Sequence, residues 1–109
     1  MLEELLVIFE RTVRDNKRVK ADFNKSLKKK FMEKADKYSF LDPFAAEFEY
    51  SNQKISYRGT AKDEVLAKGI IESIKELANE LNTVDQLYEY LVPWTEKYSQ
   101  KLKGFGVEL

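Results

Sequence analysis

The side chains in this 109-residue chain that could do chemistry are carboxylates, lysines and hydroxyls, because it contains no histidine and no cysteine. Zinc sites built on Cys and His, haem ligation through His, iron–sulfur clusters and thiol nucleophiles lose their usual ligands. Serine–histidine and cysteine–histidine catalysis are excluded with them, as is a phosphorelay on histidine. None of the remaining groups titrates near neutrality without a strongly perturbing environment. Two carboxylate pairs are spaced to act together. Glu47 and Glu49 share a face of an alternating segment, and Asp63 and Glu64 open a helix. Arg58 stands opposite the first pair, and the helix dipole favours acids at the position of the second. Gly59-Thr60 lacks the glycine-rich loop and the lysine of a phosphate cradle. The expectation is a non-enzymatic chain with no catalytic residue, no metal and no cofactor.

A binding surface is a stronger prospect. Nineteen Lys and Arg balance nineteen Asp and Glu, yet residues 11–38 hold eleven basic and four acidic residues, a local charge of +7. The flanks carry the compensating −3 and −4. Arg14, Lys17, Arg18, Lys25, Lys28, Lys29 and Lys30 form the candidate basic face, densest at the three consecutive lysines. Such a face can neutralise phosphates with steep salt dependence, but no aromatic residue for base stacking projects from it. A solvated helix face is the simpler reading, with an acidic protein partner, including another copy's negative surface, as a further one. Glu33 has four-residue spacing to both Lys29 and Lys37.

The second candidate is aromatic. Phe40, Phe44, Tyr50, Tyr57 and Trp94, with Phe48, could wall a small-ligand pocket. Core or interface packing is the simpler use, since a two-stranded hairpin must bury one face.

These residues need elements to hold them. Neither proline nor glycine occurs in the first 42 residues, and Leu2, Leu5, Leu6, Phe9 and Val13 follow one helical face. Phe23, Leu27, Phe31 and Ala35 recur every four residues. Only Arg14 to Arg18 lacks an apolar residue, so the pattern reads as one long helix from about Leu2 to Lys37, or as two helices broken near Asn16. The uninterrupted drift of the stripe favours one helix. That helix would be ~54 Å long, more than a compact domain of this size covers, and its excess predicts self-association.

Residues 46–58 read as a β-hairpin. Both segments alternate with period two, and a loop of two or four residues sets Phe48 opposite Tyr57 and Tyr50 opposite Ile55 on one face. Thr60 reads as the cap of a helix over 61–81, and Thr83 with Gln86 as a capping box for a helix over 84–103. Pro93 should kink or split that last helix, and Gly104 should end it. Phe105 to Leu109 reads as a short strand or a loose tail.

The fold class is therefore α+β, with a small antiparallel sheet covered by helices. One domain is expected at this length. The amphipathic pattern begins at Leu2 and the chain ends on Val107-Glu108-Leu109, which suggests surfaces completed by another subunit or by the rest of a larger protein. No apolar run approaches a membrane span, and residues 1–30 lack a signal-peptide core, which points to the cytoplasm. A protein-interaction or oligomerisation domain is the leading expectation. A nucleic-acid module using residues 11–37 and an aromatic ligand pocket are the alternatives.

Overall fold

A computed structural model describes residues 1–108. Helices α1 (Leu2–Asp15) and α2 (Phe23–Lys34) are followed by a single 3₁₀ turn at Ser39–Leu41. Strands β1 (Phe48–Ser51) and β2 (Lys54–Tyr57) then precede helices α3 (Asp63–Glu80) and α4 (Val84–Gly104). This is the expected α+β order of helix, hairpin, helix, helix, with the opening helix in two pieces.

The break falls at Asn16, so the continuous helix favoured above does not form. Asn16 is extended, and its Oδ1 accepts the Arg18 N–H at 3.0 Å. This local bond competes with continuing the helix. The chain restarts at Asp22, whose Oδ1 accepts the Lys25 N–H at 3.1 Å and caps α2. An acid three residues before the amide it caps is an N-terminal signal. With α1 only 14 residues long, about 21 Å, no overhanging helix remains to demand a partner.

The hairpin register is as expected. Phe48 pairs with Tyr57, Glu49 with Ser56, Tyr50 with Ile55 and Ser51 with Lys54. Its two-residue loop places Asn52 at φ 52° and Gln53 at φ 63°, the left-handed pair that matches the strand twist.

The last two helices fall within two residues of the expected 61–81 and 84–103, but their caps and kink differ. Helix α3 starts at Asp63 after Lys62, without a side-chain cap from Thr60. At its far end Asn82 takes φ 56° and the Thr83 N–H reaches Ala78 O at 2.9 Å, a Schellman ending. The Thr83 hydroxyl also turns back to Ala78 O rather than capping α4. Pro93 sits inside α4, and the non-helical residue is Tyr98, at φ −110° and ψ 15°. Gly104 is the last helical residue, and the left-handed stop is Gly106 at φ 71°. Phe105 to Glu108 forms no strand.

One apolar core joins these elements. Leu5, Leu6 and Phe9 of α1 are fully buried with Ile70 and Ile74 of α3 and Leu91 of α4. Helix α1 packs chiefly on α4, and α2 on α3. Gly69 permits one close approach, because a Cβ there would lie 2.8 Å from Phe40 Cζ and 3.0 Å from Tyr38 Cγ. Among the described residues no helix is long and apolar enough to cross a membrane.

Candidate functional site

The densest group of ionisable side chains lies between α2 and α3. Glu72, Glu76 and Glu80 recur every fourth residue along α3 and face Lys30 and Lys34 of α2, with Lys37 just beyond its end. Lys30 bridges Glu33 at 2.8 Å and Glu76 at 3.6 Å, and also pairs with Glu80. Lys34 bridges Glu72 at 3.1 Å and pairs with Glu76. Lys37 reaches Glu72 at 3.0 Å, and the Tyr38 hydroxyl donates to the same carboxylate at 2.7 Å.

The electrostatics follow from these contacts. The Tyr38 hydrogen bond, with those of Lys37 and Lys34, outweighs burial and holds Glu72 down to about 2. Burial pulls the Lys30 ammonium down, yet Glu33 and Glu80 more than offset it and keep Lys30 above the usual lysine range. Paired in this way, Glu72 and Lys30 stay charged and offer no proton donor or acceptor near neutrality. Among the described residues no group of three or more acids converges as a metal site.

The basic face is thus divided. Lys30 is only 4% exposed, which removes it from any external surface, and Glu33 pairs with it rather than with Lys29 or Lys37. Arg11 lies over the Tyr90 ring at 5.1 Å. Arg14, Lys17, Arg18, Lys25, Lys28 and Lys29 are exposed and make no ion pair among the described residues.

The aromatic candidates do not meet in one pocket. Phe40 packs edge-on against Tyr57 at 6.2 Å and Phe48 at 6.4 Å. Tyr50 instead meets Phe23 at 6.3 Å. Trp94 lies apart, 5.6 Å from Tyr98, and its indole N–H donates to Met1 O at 3.0 Å. Phe44 touches none of these rings and is 86% exposed. These aromatics are core, apart from Phe44. Tyr57 also serves the backbone, its hydroxyl accepting the Ala61 N–H at 2.7 Å.

A groove of about 320 Å³ runs between α2 and β1. Leu27 and Phe31 of α2 line it with Leu41 and Pro43, while Asn24 and Lys28 contribute polar groups. All four residues of β1 line its other side. Side chains alternate between sheet faces, so four consecutive strand residues line one groove only where it follows the strand's edge. Neither periodicity nor composition pointed to it, since its walls come from three separate segments within residues 24–51 that only the fold brings alongside one another.

No protein-family model, curated protein or solved structure matches this chain.

Proposed function

We propose that this chain is a non-enzymatic protein-interaction domain whose contact surface centres on Phe44 and the neighbouring groove. The observation that carries this reading is Phe44 itself. An 86% exposed phenylalanine follows Asp42, whose Oδ1 accepts the Phe44 N–H at 2.9 Å, and Pro43, which lines the groove. An aromatic residue held in water on a hydrogen-bonded turn beside an apolar groove has the makings of an interface anchor. Neutralisation of the α2–α3 charges supports the non-enzymatic part. Self-association, expected from a long helix, has lost that support and is one outcome of the test. The cytoplasm is the compartment we propose, in keeping with the 35% of charged residues.

The test places a photo-crosslinking benzoylphenylalanine at position 44, and in a control at position 101 on α4. Phe44 buries little, so replacing it should cost no more than about 0.5 kcal/mol of stability. The reading expects a discrete protein adduct at position 44, resistant to nuclease and weak at position 101. Equal labelling at both positions, or none, overturns it.

A second reading, nucleic-acid binding, is favoured by the six exposed and unpaired cations of the predicted face, Arg14, Lys17, Arg18, Lys25, Lys28 and Lys29, with Lys20 beside them. It expects retention on nucleic acid that collapses between low and moderate salt and weakens on charge reversal at Lys28 and Lys29. Absence of retention at low salt removes it.

A further inference from the structure

We propose that β1 is completed by strand addition: an extended segment of another protein, apolar at every second residue and acidic where it meets Lys28, pairs with the free edge of β1 in the groove beside α2. This rests on the protein-interaction reading and specifies its mode of recognition.

The hairpin register dictates which backbone groups are free. In an antiparallel pair, hydrogen-bonded residue pairs alternate with non-bonded ones. The Arg58 N–H donates to Glu47 O at 2.8 Å, so Glu47 and Arg58 form a bonded pair. By alternation Glu49 with Ser56 and Ser51 with Lys54 are bonded too. Phe48 and Tyr50 therefore turn their N–H and C=O groups away from β2. The same alternation sends the Ile55 N–H outward from β2, and there Glu3 Oε1 accepts it at 2.8 Å. On this edge Glu3 of α1 thus occupies one outward group, the Ile55 N–H. On the other edge the backbone groups of Phe48 and Tyr50 have no hydrogen-bond partner among the described residues. Unpaired strand edges are templates for a further strand.

The surroundings of that edge select its occupant. The groove supplies apolar contacts from Leu27, Phe31, Leu41 and Pro43, which suit side chains at alternate positions of an extended chain. Lys28 lines the helix side, is exposed and lacks an ion-pair partner among the described residues, which favours an acid there. Glu49 lines the strand side and favours a neutral or basic residue directly opposite it.

A second copy fits poorly. Two-fold pairing of β1 with itself must bring outward-facing residues together. Centring it between Phe48 and Tyr50 sets Glu49 against Glu49, and centring it on Phe48 sets Glu49 against Glu47. Like charges directly opposite are destabilising. Centring on Tyr50 sets Phe48 against Asn52, which belongs to the turn. A heterologous strand meets none of these conflicts.

The test selects binders from a random dodecapeptide library displayed on phage, then synthesises the selected peptide with alternate backbone nitrogens methylated in each parity. Strand addition expects methylation of one parity to weaken binding about tenfold or more, as a lost hydrogen bond or two implies, and methylation of the other to change it less than about twofold. The Phe48 and Tyr50 amides should gain hydrogen-exchange protection on binding. Lys28→Glu should weaken the selected peptide by about threefold, within the range of an exposed charge pair. Failure to select any peptide that protects these two amides overturns the proposal, as does equal tolerance of both parities. Protection of both amides in the protein alone, together with a dimeric mass, overturns it in favour of a second copy. The position-44 crosslink separates the two levels. If it persists while parity dependence is absent, strand addition falls and the interaction reading stands.

Discussion

The Tyr38 hydroxyl donates to Glu72 Oε2 at 2.7 Å, tying the segment after α2 to the middle of α3. That bond is the largest cause of the low Glu72 pKa, about 2 against an ordinary 4.5. A carboxylate whose pKa is depressed in the folded state contributes stability that is fully present above 4.5 and is lost as pH falls toward 2. Because Glu72 is about a third exposed (31%), solvent screening leaves about 1–2 kcal/mol rather than the full shift. Urea unfolding at pH 7 and pH 3 should show this loss, and Tyr38→Phe should reduce the difference between the two pH values.

Lys30 is buried, but its three carboxylate partners, Glu33, Glu76 and Glu80, are 41–52% exposed. Removing the ammonium therefore returns those carboxylates to water rather than stranding them. Lys30→Met keeps the aliphatic stem and should change stability by less than about 1 kcal/mol. Lys30→Glu places a fourth acid among three and should cost about 3 kcal/mol or more. Chemical denaturation of both variants measures the contrast, and equal effects would contradict it.

Gly69 lies inside α3, where alanine is intrinsically better by about 1 kcal/mol. The added Cβ would nonetheless meet Phe40 Cζ at 2.8 Å, and Phe40 is held by Tyr38, Phe48 and Tyr57. Overpacking should win, leaving Gly69→Ala less stable by about 1–2 kcal/mol. A thermal melt decides the sign.

The Tyr50 hydroxyl is buried without a well-formed hydrogen bond among the described residues, and burial, followed by the charge of the adjacent Glu10 carboxylate and its weak hydrogen bonding, pushes its pKa up. An unmade hydrogen bond costs more than an absent group. Tyr50→Phe should therefore be neutral or stabilise by up to about 1 kcal/mol, with the ring still against Phe23. A loss of more than that in urea unfolding would show that the hydroxyl is satisfied.

The candidate site was only partly legible. Lys28 was picked out as a cation, and Phe44 and Tyr50 as aromatics, but in two separate hypotheses. Leu27, Phe31 and Leu41 read as core, which they are, and nothing local shows that their far sides wall a groove. Lys30 was misplaced on an external face, because three consecutive lysines carry no mark of the one that points inward.

By itself the sequence determined the helical and strand periods, the hairpin register, the α+β order and the segregation of charge. All of these follow from spacing along one chain, which side-chain alternation and the helical repeat convert directly into faces. Tertiary structure decided where local signals competed or partners were remote. It chose Asn16 as a break, because a side-chain bond there replaces a helical one. It paired Lys30, Lys34 and Lys37 of the +7 segment with Glu72, Glu76 and Glu80 on α3, which charge counting had shown only as a compensating flank. It also set Glu3 against the Ile55 N–H on one edge of the two-stranded sheet and placed a groove beside α2 along the other, since what lies against each edge depends on where helices pack.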